Sequence, residues 1–177
     1  MIAVVSDTHA DGEYILDGAV ARSVRRAETV VHAGDFTSEA ALEAVQRESD
    51  RLYAVHGNAD DATVTERLPP ARVFEEGGVR FAVTHTQRGG EMGLVYFGRE
   101  RGADVVISGH THRPLAKRVE GLLLVNPGSH EQPRGGHRTY AELSVEKGSV
   151  EGAIRTTDGT AVSRIAVEGR SASGDGQ

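Results

Sequence analysis

The chain has 177 residues, 38% of them hydrophobic and 26% charged, with a net charge of −6 and no cysteine. This suits one domain with its own core. The acidic balance argues against a surface that coats nucleic acid, and the missing thiols exclude disulfides, cysteine metal sites and a cysteine nucleophile.

The apolar run Ile2–Val5 reads as a first strand and ends in "SDTHAD", which carries Asp7 and His9. Its quick turn to acidic residues does not fit a secretory leader, and no apolar run approaches a membrane span. A cytoplasmic protein with no membrane partner is expected. Glu13–Arg26 places Ile15, Ala19 and Val20 on one side with Val24 nearby, as in an amphipathic helix. Thr29–His32 is a second strand, followed by Asp35 in "HAGD". Ser38–Arg47 is a helix that gathers Ala41, Leu42 and Val45, with Thr37 or Ser38 as its N-cap. Leu52–Val55 is a third strand and runs into "HGNAD", with Asn58 and Asp60. Val79–Val83 leads to His85, and Gly89–Arg101 is a helix weakened by its glycines. Asp104–Ile107 leads to "SGHTH", with His110 and His112.

After Pro114 the pattern turns to β: a strand, a turn at Glu120-Gly121, a strand, then a second hairpin around Lys147-Gly148. The expected fold class is therefore α/β (α+β), in layers, with a single domain over 1–167. Residues 168–177 are Gly- and Ser-rich and are expected to be a disordered tail.

Five apolar runs thus end in residues that ligate metals. Each piece alone has an ordinary reading. Asp-x-His caps loops, Gly-Asp caps the next helix, Gly-Asn is a common turn, and a lone histidine is usually a satisfied polar residue. His110-x-His112 says more, because residues two apart in extended chain point the same way. Jointly, the five endings point to one site beyond the carboxyl ends of the strands. Histidine and carboxylate without thiolate suit Mn²⁺, Ni²⁺, Zn²⁺, Fe²⁺ or Co²⁺. Seven candidate ligands are too many for one tetrahedral ion. They suit two ions about 3.5–4 Å apart that share a carboxylate and a water.

The ordered set "SDTHAD", "HAGD", "GNAD", "SGHTHRP" and "NPGSHEQPRGG" resembles the calcineurin-like metallophosphoesterases, and more closely the small YfcE/MJ0936-type phosphodiesterase group. The resemblance covers roughly residues 1–150. It implies a four-layer α/β/β/α sandwich of two mixed β-sheets flanked by helices. It also implies a phosphodiesterase that attacks phosphorus in line with a bridging hydroxide. One divalent ion, manganese by first preference, would lie on Asp7, His9, Asp35 and His112. A second would lie on Asp35, Asn58, His85 and His110, with Asp35 as the bridge. His32 falls outside this ligand set and reads as a supporting residue.

Two departures from the pattern stand out. The chain has His85-Thr86-Gln87 where close relatives have His-Gly-His. It has Ala59 where the wider superfamily has an acid histidine, so Asp60 is one alternative proton donor, with His9 or a metal-bound water as others; Asp35, Asn58 and Asp60 are the expected catalytic residues. Arg113 and Arg134, with Arg138 near them, could hold substrate phosphate; the ordinary reading is solvated arginines. The expected substrate is a small-molecule or nucleotide phosphodiester, and self-association is left open. The competing reading is a Vps29-like interaction scaffold with little or no catalysis. Nucleotide binding without turnover is a third, for which no GxxxxGK[ST] loop is present.

Overall fold

The computed structural model describes residues 1–9, 16–134 and 136–167. The expected helix start at Glu13–Ile15 and the expected tail at 168–177 lie outside the described residues. In chain order the elements are β1 (Ile2–Val5), α1 (Gly18–Arg26), β2 (Thr29–His32), α2 (Glu39–Glu48), β3 (Leu52–Ala54), α3 (Ala62–Arg67), β4 (Ala71–Glu76) and β5 (Val79–Thr84). They continue with α4 (Gly90–Glu100), β6 (Val105–Ile107), β7 (Leu115–Val119), β8 (Leu122–Asn126), β9 (Thr139–Glu146), β10 (Ser149–Thr156) and β11 (Ala161–Val167).

Two mixed sheets result, ordered β11-β10-β9-β1-β2-β3 and β4-β5-β6-β8-β7. In the first, β1, β2 and β3 run parallel and β9 joins β1 antiparallel. In the second, β5, β6 and β8 run parallel, with β4 and β7 antiparallel at the edges.

The layering follows from side-chain alternation along buried strands. Ile2 and Val4 of β1 share one buried cluster with Phe81 and Val83 of β5, Ile107 of β6 and Leu143 of β9. The two sheets therefore face each other. The alternate residues Ala3 and Val5 turn outward and pack with Val20 and Val24 of α1, Leu42 and Val45 of α2 and Val64 of α3. On the far side, Ala82, Val106 and Leu124 pack with Leu94, Val95 and Phe97 of α4. The result is the expected α/β/β/α sandwich. A stack of Tyr53 on Phe74 (4.1 Å) and Phe74 on Phe81 (4.8 Å) links the edge strands β3 and β4 of the two sheets.

Ser38 is the N-cap of α2, its side chain accepting from the Ala41 N–H at 3.3 Å. Three elements were not expected from the sequence: α3, β4 and β11. The five ligand-bearing strand ends belong to both sheets rather than to one. β1, β2 and β3 carry Asp7, His9, Asp35 and Asn58, whereas β5 and β6 carry His85, His110 and His112.

Candidate metal centre

The site is built from loops that take over where the parallel strands stop. The loops tie to one another through the main chain. Asp7 N–H donates to Gly34 O (2.9 Å), His9 N–H to Asp35 O (3.2 Å) and Gly109 N–H to His85 O (3.0 Å). The last bond links the two loops of the second sheet, and the first two link β1 to β2.

Asp7, His9, Asp35, His110 and His112 all have positive φ, between 42° and 69°. Such φ values are uncommon outside glycine. They cost about 1–3 kcal/mol each, so they persist only where the surroundings impose them. Five in one cluster mark a place where side-chain direction has been favoured over backbone comfort.

Two glycines are required by close approach. A Cβ at Gly57 would lie 2.1 Å from Asp35 Oδ1, and one at Gly109 would lie 2.0 Å from Ser6 Oγ.

Four of the expected ligands, Asp7, His9, Asp35 and His112, have ligand atoms all within 4.8 Å of one another. His112 Nε2 is 3.1 Å from Asp7 Oδ1 and 3.3 Å from His9 Nε2. His9 Nε2 is 3.7 Å from Asp35 Oδ2. The remaining ligands meet beside them. His85 Nε2 is 3.3 Å from Asp35 Oδ2 and 3.2 Å from Asn58 Oδ1, and His110 Nδ1 is 2.8 Å from Asn58 Oδ1. All seven expected ligands are thus brought together. Asp35 is the residue common to both groups: its Oδ2 faces His9 and His85, while its Oδ1 accepts the Ala59 N–H at 2.8 Å.

Tautomers add to this. His85 Nδ1 meets Ala33 O at 2.7 Å and His112 Nδ1 meets Gln132 O at 2.7 Å. A carbonyl only accepts, so both Nδ1 atoms carry hydrogen, and each ring in its neutral form turns an Nε2 lone pair into the cluster. Where the rings are neutral, lone pairs and carboxylate oxygens face one another at about 3 Å, an arrangement relieved by a cation among them or, between His85 and Asp35, by a proton. Donors about 2.0–2.1 Å from a tetrahedral ion sit about 3.3 Å apart, the spacing seen here. The residues present fit divalent ions.

Protonation follows the same charges. Burial pushes the Asp7 carboxyl up, only partly offset by Ser6 Oγ–H at 2.5 Å and by His85 and His112. Burial also acts upward on Asp35, but the bonds from His85 and Ala59 and the nearby His85 and His9 outweigh it, and the net shift is downward. Burial acts downward on His85, but the bond to Asp35 and the charges of Asp35 and Asp7 win, so its net shift is upward. His32 is fully buried and pushed down to about 3 by burial, with His85 adding to it. It stacks on Phe36 at 3.5 Å, accepts the Gly34 N–H at Nδ1 (3.2 Å) and meets Thr8 Oγ1 with Nε2 (3.1 Å). It is a neutral prop under the β2 loop, as expected.

Asp60 is placed differently from a proton donor. Its Oδ2 accepts the N–H of Asp35 (3.1 Å) and of Gly57 (2.7 Å), and its Oδ1 accepts that of Thr37 (2.7 Å). Both oxygens are taken by main chain, so the carboxylate ties the Asp35 loop to the Asn58 loop. The Gly-Asn-x-Asp spacing is short enough for the carboxylate to fold back onto the Gly57 N–H three residues before it.

Arg113 and Arg134 are both exposed, and Arg134 N–H donates to His112 O at 3.0 Å, which sets it at the rim. Arg138 is turned away: its guanidinium bonds His130 O and, at 2.9 Å, Glu131. The cluster has a closed and an open side. Asp7, Asp35, His85 and His112 are buried, whereas Asn58, Ala59 and His110 are exposed. The open side is the one that carries Asn58.

The profile of the calcineurin-like phosphoesterase superfamily domain matches residues 1–148. A probable metallophosphoesterase of Methanothermobacter thermautotrophicus is 37% identical over 147 residues, covering 76% of this chain and 79% of the relative. Phosphodiesterase MJ0936 of Methanocaldococcus jannaschii is 27% identical over 139 residues, covering 72% and 82%. Among solved structures, Vacuolar Protein Sorting 29 of Cryptosporidium parvum superposes with a TM-score of 0.82 at 17% identity, covering 94% of this chain and 97% of that one. At that identity the last likeness concerns the fold alone.

Proposed function

Since the chain belongs to the calcineurin-like phosphoesterase superfamily, a family of metal-dependent hydrolases of phosphoesters, we propose that it hydrolyses phosphodiesters at a centre of two divalent ions. The observation that carries this reading is the position of Asp35 Oδ2, 3.7 Å from His9 and 3.3 Å from His85. One carboxylate oxygen there serves two ligand groups. Asp7, His9, Asp35 and His112 would hold one ion, and Asp35, Asn58, His85 and His110 the other. Manganese is the first candidate, with nickel, zinc, iron(II) and cobalt as the others. Two ions held there would supply Lewis acidity toward a phosphoryl oxygen and a hydroxide at neutral pH.

The chain's own residues do the rest. Asp35 fixes the distance between the two ligand groups, held in place by Ala59 N–H and by Asp60 under its own N–H. The Ala33 and Gln132 carbonyls orient the imidazoles of His85 and His112. Asn58 contributes a neutral oxygen, which leaves the centre more electron-poor than a third carboxylate would. Asp60 acts as a positioning residue. Arg113 and Arg134, exposed at the rim, are available to an anionic substrate.

MJ0936 is named as a phosphodiesterase, and Ala59 offers no proton to a leaving group; both favour diesters over monoesters. The likeness to Vacuolar Protein Sorting 29 leaves a scaffold role as the alternative, and turnover rather than metal binding separates the two readings. A cytoplasmic setting fits a chain without cysteine, and no helix of the described residues is long and apolar enough to cross a membrane.

The test is elemental analysis of the manganese-saturated protein beside a screen of diesters and monoesters. Two ions per chain and faster diester turnover are expected. One ion per chain, or a clear preference for monoesters, would overturn the proposal.

A further inference from the structure

The exposed side of the metal centre opens into a cavity of about 610 Å³ that the sequence did not reveal. Asn58 and His85 form one end, and His56, Arg88, Tyr96 and Arg101 line it further out. The volume is that of a small-molecule site. A diester bound at the centre must direct one of its two ester groups somewhere, and this cavity is continuous with two of the ligands.

Three features of the lining choose its occupant. Tyr96, on α4, is 58% exposed, the one aromatic among the exposed large hydrophobics of the described residues. A ring left open at a cavity wall is a stacking platform. Arg101 lies with its guanidinium 3.9 Å over the Phe97 ring, anchored to Phe97 O at 3.1 Å and paired with Glu100 at 3.4 Å, which holds a flat guanidinium in the same wall with its charge partly balanced. Arg88 is exposed, and among the described residues its side chain has no hydrogen bond or ion pair. The segment that departs from the family pattern, Thr86-Gln87, also lines the cavity; Gln87 Nε2 donates to Thr84 Oγ1 at 3.0 Å. A His-Gly-His loop would put different groups there.

The neighbouring cavity, about 390 Å³, also reaches His85, but its apolar lining is Leu94, Pro114 and Leu115 with no Phe or Tyr ring. A flat ring therefore finds its partner in the first cavity only.

Resting on the phosphodiesterase reading above, we infer that this cavity is a nucleoside subsite. The base stacks on Tyr96, and Arg88 meets any further phosphate the nucleoside carries. Base stacking on an aromatic side chain tolerates any base, so the subsite selects for a nucleoside ester rather than for one base.

The test compares two diesters with the same nitrophenyl leaving group, one bearing a nucleoside through its 5′ oxygen and one bearing methyl. The metal-loaded enzyme should show kcat/KM at least about tenfold higher on the nucleoside diester, the scale of one stacked base. Tyr96→Ala should lower that ratio about tenfold, and Tyr96→Phe should restore most of it. A ratio near one in the native protein, or one that Tyr96→Ala leaves unchanged, overturns the subsite. If neither diester is turned over with any of the metals, the phosphodiesterase reading fails by itself. The subsite is then decided by calorimetry with adenosine monophosphate and ribose 5-phosphate on the metal-loaded protein. Tighter binding of the nucleotide that Tyr96→Ala abolishes upholds it; equal binding of the two ligands refutes it.

Discussion

Replacing Asp60 by asparagine separates two roles for this residue. Its carboxylate accepts three main-chain N–H groups, from Asp35, Gly57 and Thr37. Asparagine keeps one oxygen. If that oxygen takes the place of Oδ2, the Thr37 N–H meets an amino group, and the other two bonds fall from charged to neutral strength. A hydrogen bond to a charged acceptor contributes about 1.5–3 kcal/mol and a neutral one about 1 kcal/mol. Asp60 is half-buried, so water replaces part of what is lost. A cost of about 2–3 kcal/mol to the metal-free protein is expected. Urea unfolding reads it as a lower midpoint at unchanged slope. Metal affinity falls with it, because the same three amides set the loops that carry Asp35 and Asn58.

Once metal is saturating, a loop tie lowers kcat/KM by a similar factor for good and poor leaving groups. A proton donor would behave otherwise. Its loss would spare stability and remove about 10²–10⁴-fold of acid catalysis, mostly from poor leaving groups. Stability within about 0.5 kcal/mol of the native value, together with a steeper dependence on leaving-group pKa, would restore Asp60 as the acid and refute this reasoning.

Asp35→Asn should cost far more activity than Asn58→Asp and should reduce bound metal from two ions toward one by elemental analysis, because it weakens the only ligand common to both groups. His85 is raised above 6.5 in the folded metal-free chain, so what its charge adds to stability is fully present below pH 6.5 and is lost as pH rises through the raised value. Asp35, lowered from 3.8, adds stability that is present above 3.8 and lost as pH falls through its lowered value. Ions need neutral His85, so calorimetry in buffers of different ionisation heat should show proton release on metal uptake at pH 6.5 that shrinks as pH rises; no release at any pH would contradict the assignment of His85. Gly109→Ala should abolish metal binding while most of the fold survives by circular dichroism, because the new Cβ would strike Ser6 Oγ at 2.0 Å and Asp7 Oδ2 at 2.7 Å.

Much of this was readable from the chain because the parallel strands are buried on both faces and so appear as continuous apolar runs. β1, β2, β5 and β6 could be drawn to within about one residue, and the polar residues that end them stood out by contrast. The two hairpins at Glu120-Gly121 and Lys147-Gly148 were legible from their two-residue turns, which adopt the positive φ such turns demand. β4 and β11 were not, because each is an edge strand with one well-buried side chain, Phe74 and Ile165. The Gly77-Gly78 pair, both at positive φ, was the missed sign of the β4–β5 hairpin. Six-residue α3 buries Val64 alone, too little for a helical period to appear. The ligands were legible as residue types. Their left-handed backbone was not, since no local preference sets it; it is imposed by the bonds that cross between loops. The cavity beside Tyr96 depends on how α4 lies over the second sheet, a packing relation that no short stretch of sequence expresses.

The division of the ligands between the two sheets has a mechanical consequence. Four ligands ride on the strands of one sheet and three on those of the other, so an ion held among them works as a rivet through two plates. The gap between the plates is filled by Phe81, Ile107 and Leu143, apolar residues that hold no ion themselves. A rivet fits only when the gap is right. Shaving a methyl group from that filling is expected to let the plates shift, and a small ion that demands near-ideal geometry tolerates such a shift less well than a large one. A centre confined to one sheet would be indifferent to core thickness. In this one, the interior hydrocarbon helps to decide which ion the rim can hold.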